Sequence, residues 1–392
     1  MTTPHAALAE SLLRDVTEFT GPLPRAYEQA LRQVPRHLFL PDRLWLRDSE
    51  GGYRPCDRAK DPHGWMTAAY ADTPLVTQFT DDVPTSSASM PSMVLRTLLL
   101  AGLDDSSAPP PGRVLELGAG TGFNAALLCE LLGERAVTTV ELDPLLAAQA
   151  ERNVKAAGYD PEVVVGDAAD GWPPGAPYDR IIATFSVDRL PPAWLQQTAP
   201  GGRIVTPWTS AWCRYGTLAL TAGADGSGRG RFHAFASFMP MRSPDEAPPT
   251  PHTGQGAAQP CRTGTTRLSP WQVAGGDLDA EFHIGLAVPG ATFAWDTSGE
   301  HAPTRLHITD TTSTSWASVD HDGRQADSFA LTQAGPRRLW DEITAAHTAW
   351  ESLGRPGIDQ YRLEVTAKGT HRVAVHVAAG AHTVSEDFAA KR

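Results

Sequence analysis

The stretch Val114-Leu115-Glu116-Leu117-Gly118-Ala119-Gly120-Thr121-Gly122 constrains this chain more than any other, because an apolar run breaks there into three glycines at alternate positions. A buried strand, a tight turn and the start of a helix are the reading. Glycine is needed where the backbone takes positive φ, or where it passes so close under a ligand that a Cβ has no room. A dinucleotide fingerprint, G-x-G-x-x-G, needs its third glycine at position 123, which is Phe123. The turn is therefore built for a different nucleotide-like ligand.

Glu116-x-Gly-x-Gly-x-Gly resembles the first motif of S-adenosylmethionine (SAM)-dependent methyltransferases. A helix is expected over Asn124 to Leu132 and a second strand over Ala136 to Val140, ending in Glu141, 19 residues beyond Gly122. An acidic side chain at that distance, on a strand tip, accepts the hydroxyl protons of a ribose. A third strand, Val163 to Val165, runs into Gly166-Asp167-Ala168, where SAM-binding domains carry an acidic residue near the adenine amino group. The resemblance thus implies cofactor contacts from Glu116, Gly118, Ala119, Gly120, Gly122, Glu141, Leu142, Asp167 and Ala168, with S-adenosylhomocysteine as the spent cofactor. Tyr178 to Thr184 is apolar enough for a strand buried in a parallel sheet. Strand alternates with helix throughout, so the expected fold is α/β, a doubly wound Rossmann-like methyltransferase sheet.

Upstream, apolar spacing predicts two short helices within residues 6 to 34, broken at Gly21-Pro22. They lead to Val34-Pro35-Arg36-His37-Leu38-Phe39-Leu40-Pro41, which is similar to the V-P-R-x-x-F-V-P segment of protein-L-isoaspartate O-methyltransferases. Tyr70-Ala71-Asp72-Thr73-Pro74-Leu75 and Pro84-Thr85-Ser86-Ser87-Ala88-Ser89-Met90-Pro91 resemble two further elements of that family, as do Leu190-Pro191-Pro192-Ala193-Trp194-Leu195 and the hairpin sequence Pro200 to Pro207. Aligned on Pro91, Ser89 falls on the family's serine and Ser87 on its threonine, which implies that these two hydroxyls orient the acceptor carboxylate. The competing reading of Thr85 to Ser89 is an N-cap cluster for the helix that follows. Met90 departs from the family pattern.

The resemblance covers about residues 25 to 210 of 392. The boundaries read from sequence are an N-terminal segment 1–103, a SAM-binding domain 104–242, a Pro-rich linker 243–266 and an accessory α+β domain 267–392. In the last, Phe282 to Val288 and Leu306 to Ile308 alternate as strands, Pro336 to Leu353 reads as an amphipathic helix, and Tyr361 to Val365 with His371 to Val377 as a hairpin. His371, His376 and His382 lack a recognised ligand spacing, and the four scattered cysteines offer neither a zinc pattern nor a disulfide framework, so no metal is expected.

The formal charge of -12, with no block of consecutive basic residues, argues against nucleic acid or an anionic membrane as partner. No apolar run approaches the length of about 18 residues that a span requires. A cytoplasmic monomer is the expectation. The extended layout resembles tailoring enzymes of ribosomally made peptides, including lanthipeptides and graspetides. That resemblance implies esterification of an aspartate in a precursor peptide, held in part by the C-terminal domain, with closure to an aspartimide that either persists or hydrolyses to isoaspartate. The alternative is a repair enzyme acting on isoaspartyl residues of damaged proteins.

Overall fold

The computed structural model describes residues 5–49, 51–103, 112–243, 261–298, 304–321 and 327–386. The N-terminal part comprises α1 (Ala6–Thr20), α2 (Arg25–Gln33), β1 (Arg43–Arg47), β2 (Tyr53–Asp57), α3 (Pro62–Ala69), β3 (Leu75–Thr80), β4 (Val83–Ala88) and α4 (Pro91–Ala101). Its strands form a small sheet in the order β2-β1-β3-β4. Leu12, Leu13 and Val16 of α1, Tyr27 and Leu31 of α2 and Leu95 and Leu98 of α4 share one core with Ala125 to Leu128. The two N-terminal helices are thus built into the same core as the central sheet.

The central part runs β5 (Val114–Leu117), α5 (Phe123–Leu132), β6 (Val137–Glu141), α6 (Pro144–Ala156), β7 (Glu162–Val165), β8 (Tyr178–Ala183), α7 (Pro192–Gln197), β9 (Thr198–Pro207), β10 (Thr217–Ala222) and β11 (Gly228–His233). Pro144 at the first position of α6, with Asp143 accepting from the Leu145 and Leu146 amides, fixes where that helix starts. Strands β9-β8-β5-β6-β7 are parallel. The chain winds from β5 outward to β7 and then returns to the other side of β5 as β8. The strand order therefore reverses between β5 and β8, and ligands of open α/β sheets bind outside the strand ends at such a point.

The C-terminal part holds β12 (Arg262–Thr266), α8 (Pro270–Ala274), α9 (Leu278–Ala287), β13 (Ala291–Asp296), β14 (Thr304–Asp310), β15 (Trp316–His321), β16 (Phe329–Ala334), α10 (Leu339–Ser352), β17 (Tyr361–Val365), β18 (His371–Val377) and β19 (Gly380–Glu386). Strands β12-β16-β15-β14-β13 make a five-stranded antiparallel sheet with its own core of Ile284, Leu306, Ile308, Val319, Leu339 and Ile343.

Three expectations are corrected here. The reading of 267–392 as one separate domain fails for its last strands: β17, β18 and β19 extend the central sheet, because β11 pairs with β17 and would otherwise present a bare edge. Phe282 to Val288 is not a strand but most of α9. Ala280 through Leu286 are all buried, so apolar alternation there carries no period, whereas Asp277 accepting from the Ala280 amide marks a helix start. Phe232, Ala234, Ala236 and Phe238 alternate with other residues, which reads in sequence as a strand over Phe232 to Met241, but β11 ends at His233 and the chain then runs as a loop with one bridge, Ser186 to Pro240. Of the predicted linker, residues 244–260 lie outside the described residues, and Arg262–Thr266 is the edge strand β12. Most of the predicted Asp104 to Gly112 connection also lies outside them.

His283 on α9 is buried and its Nδ1 is 2.8 Å from the Tyr361 hydroxyl of β17. Burial pulls its pKa down to about 4. Its neutral form is favoured in the fold, so this contribution to stability is complete above the unfolded value near 6.5 and is lost as pH falls toward 4. The loss expected is about 3 kcal/mol. Denaturant unfolding at a series of pH values should show that slope, and His283→Gln should flatten it. His371, by contrast, is a packed residue whose Nε2 accepts from the Leu190 amide at 3.2 Å. Among the described residues no helix is long and apolar enough to cross a membrane.

Candidate functional site

The glycine turn leaves the end of β5, whose four residues are all buried. Gly118, Gly120 and Gly122 have φ of 93°, 53° and 86°. A Cβ on Gly118 would lie 2.4 Å from Thr184 Oγ1, and one on Gly122 would lie 3.0 Å from Val154 Cγ1. A Cβ on Gly120 would meet nothing nearer than the Ser87 carbonyl at 3.9 Å. The outer glycines thus serve packing, while the middle one leaves an open cradle facing Ser87. The turn is held on both sides: the Gly118 and Ala119 amides donate to the Val140 carbonyl at 2.8 and 3.2 Å, and Thr184 Oγ1 donates to the Gly118 carbonyl at 2.6 Å. In sequence Thr184 reads only as the last residue of the fourth strand, without a site role of its own. Its signal was its place, the first hydroxyl beyond β8 at the switch point.

Glu116 is fully buried beneath the turn and accepts from Asn124 Nδ2 at 2.7 Å and from Thr139 Oγ1. Burial pushes its carboxyl up to about 7, against those two hydrogen bonds, which favour the ionised form. Glu141 closes the next strand, and its Oε2 accepts from the Gly120 amide at 2.9 Å, so the cradle and this carboxylate are directly joined. Its Oε1 accepts from the Asp143 amide and lies 4.0 Å from Arg242. Leu142 follows, half-buried. Asp167 stands beyond β7, with Oδ1 on the Ala169 amide at 2.8 Å, and the Ala168 carbonyl accepts from Trp194 Nε1. Glu141 and Asp167 are neighbours, since the Gly166 amide donates to the Glu141 carbonyl at 3.0 Å.

On the opposite wall Thr85 to Ala88 belong to strand β4, paired with β3. Helix α4 is capped differently from the competing expectation: Met90 is its N-cap residue with no side-chain cap, and Asp72 Oδ1 accepts from the Ser92 amide at 2.8 Å. Among the described residues, the hydroxyls of Ser87 and Ser89 make no hydrogen bond. The residue that fixes this wall is Arg36, only 1% exposed. Its Nη1 donates to the carbonyls of Ala69 and Ala71, and its Nη2 to those of Thr73, Ala88 and Ser89, at 2.9 to 3.5 Å. The V-P-R segment thus clamps the end of β4 and the Ser89 that follows it, a role the motif alone does not disclose.

One cleft, partly open to solvent, is lined by Ser87 and Ser89, by Gly118 to Thr121, and by Glu116, Asn124, Thr184 and Phe238. Glu141, Leu142, Asp167 and Ala168 lie outside this lining, along the adjoining strand ends. The open cradle at Gly120 and the buried Asn124 Oδ1, which has no hydrogen-bond partner, fit a polar ligand such as SAM in this cleft. Among the described residues no group of three or more His, Cys, Asp or Glu side chains is placed to hold a metal ion.

The family model for Protein-L-isoaspartate(D-aspartate) O-methyltransferase matches residues 56–219. Protein-L-isoaspartate O-methyltransferase 1 of Archaeoglobus fulgidus is 38% identical over 180 residues, 45% of this chain and 69% of that protein. The Methanopyrus kandleri enzyme of the same name is 36% identical over 217 residues, 54% of this chain and 81% of that protein. A solved protein-L-isoaspartate O-methyltransferase structure, at 20% identity, shares the fold with a TM-score of 0.53 over 94% of this chain and 100% of that one. A glycine cradle at the sheet's switch point, facing a serine-bearing strand, is thus found in a chain whose similarity to these enzymes runs through both walls of the cleft: it belongs to the protein-L-isoaspartate O-methyltransferase family and is a SAM-dependent O-methyltransferase.

Proposed function

We propose that this chain esterifies the free carboxylate of an isoaspartyl residue in a peptide or protein. The observation that carries the reading is the single cleft with Ser87 and Ser89 on one wall and the glycine cradle on the other, which puts acceptor-side hydroxyls and donor site in one space. Gly118 to Gly122, Glu116, Glu141, Leu142, Asp167 and Ala168 would hold the cofactor. SAM supplies an electrophilic methyl when bound. An acceptor carboxylate, titrating near ~4, is already ionised at neutral pH, so no general base is needed. What the protein contributes is alignment and exclusion of water. Ser89, with Ser87, donates to the oxygen that does not attack, while Val94, Ile182 and Phe238 form an apolar lining that keeps water from the attacking one.

A second reading is the tailoring of a ribosomal precursor peptide at an ordinary aspartate. It draws on the long C-terminal part, all of which lies beyond the matched residues 56–219. That length alone does not select it, because the solved fold relative extends over 94% of this chain. Two peptides of one sequence, differing only in isoaspartate or aspartate, decide between them when incubated with SAM. Methylation of the isoaspartyl peptide alone supports the first reading. Methylation of the aspartyl peptide, followed by imide closure with net loss of water from the starting mass, overturns it in favour of the second.

A further inference from the structure

Arg96 lies on α4, seven residues beyond Ser89, and its guanidinium is stacked between two rings. Its Cζ is 4.0 Å from the Phe235 centroid and 5.4 Å from that of Phe19. Its flanking residues Val94 and Thr97 line the cleft, as does Phe238, three residues beyond Phe235 on the same loop. A helical side chain leans toward its helix N-terminus, here the Ser89 end. Five helical steps rise about 7.5 Å, a length that two to three residues of extended peptide span.

Among the described residues, Arg96 has neither an ion pair nor a hydrogen bond. Three arginines of the N-terminal part spend their charge within the fold: Arg32 pairs with Glu10 and Glu28, Arg58 with Asp42, and Arg36 donates to five carbonyls. Arg43 is also held over a ring, that of Trp45, but Arg96 meets two rings and sits on the helix whose Val94 and Thr97 line the cleft. Burial holds its pKa below the usual arginine value, yet the side chain is only half-buried and Phe19 is 48% exposed, so the site opens to solvent. Stacking restrains the plane of a guanidinium and leaves its N–H edge to bind a carboxylate through two parallel hydrogen bonds.

We propose that Arg96 anchors a second carboxylate of the bound peptide, two to three residues from the one that is methylated, and so selects acidic substrates. This rests on the peptide-carboxylate reading above. The anchored group is either an acidic side chain or the C-terminal carboxylate of a short peptide, which have the same chemistry.

The test uses the full chain and a set of peptides with one acceptor residue, carrying Glu or Gln at the flanking positions and ending in a free acid or an amide. With the wild-type protein, KM is expected to be about 10-fold lower for the peptide bearing the anchoring carboxylate, at unchanged kcat. Arg96→Gln should erase that difference by weakening the acidic peptide only, Arg96→Lys should restore part of it, and SAM affinity should stay as in the wild type in both. The arm that responds, Glu against Gln or acid against amide, identifies the source. Equal KM for all peptides in the wild type, or an equal rise for all in Arg96→Gln, overturns the anchor. Failure of the wild type to methylate any peptide overturns the underlying reading as well, so the two failures are distinguishable.

Discussion

Ser89→Ala is expected to lower turnover on the order of 100-fold, the loss typical of removing one positioned donor from a reacting oxygen, while SAM binds with unchanged affinity. The split follows from where the hydroxyl stands. Ser89 lines the cleft opposite the Gly120 cradle, and the fold makes no use of its hydroxyl: α4 starts without a side-chain cap, and Asp72 serves the Ser92 amide. Removing one oxygen therefore costs the fold little. Single-turnover methylation, SAM titration by calorimetry and thermal unfolding together check it. Parallel losses in all three would make Ser89 a structural residue and leave the acceptor-orienting role without support.

Arg36→Ala should produce the largest loss of stability of any single change considered, about 3 to 5 kcal/mol. The guanidinium is buried with its Nε unpartnered, and burial draws its pKa down to about 10. Its five hydrogen bonds to carbonyls offset that cost, and truncation would leave those carbonyls without their donor in a region closed to water. Lysine is a poor substitute, because a compact ammonium cannot span carbonyls on two separate segments as a planar fork does. Arg36→Lys should recover less than half of the loss in denaturant unfolding. A change below about 1 kcal/mol for Arg36→Ala would mean that the segments 69–73 and 88–89 hold together without the clamp.

Legibility followed locality. The glycine turn could be read because its requirements, positive φ and absent Cβ, belong to single residues. Four of the five parallel strands could be read as short apolar runs, whereas β9 reads in sequence as a hairpin because its parallel pairing with β8 is a property of the folded sheet. Arg36 shows the opposite case: the motif is visible, but its carbonyl partners lie 33 to 53 residues away and leave no mark in sequence. Helix α9 was misread because an element buried on every side has no face, and the signal that remained was a cap at Asp277 rather than a period. The assignment of β17 to β19 needed knowledge of an unpaired edge on β11, a property of the folded sheet. Leu142 and Ala168 rest on resemblance alone, since no single-residue requirement marks them in sequence.

The route from β11 to β17 also dictates an order of assembly. Arg231, on β11, hydrogen-bonds to Asp359, just ahead of β17, across 128 residues of chain, and the five-stranded sheet lies between them. The accessory sheet is therefore an insertion, tethered at both ends to the catalytic one. During synthesis the cleft-forming strands emerge long before their last neighbours, and a pairing of such long range closes late. Until it does, β11 is an exposed edge on a nascent enzyme. A stop codon anywhere in the insertion would leave that edge open permanently, whereas an in-frame excision that rejoins the two tethers would let it close.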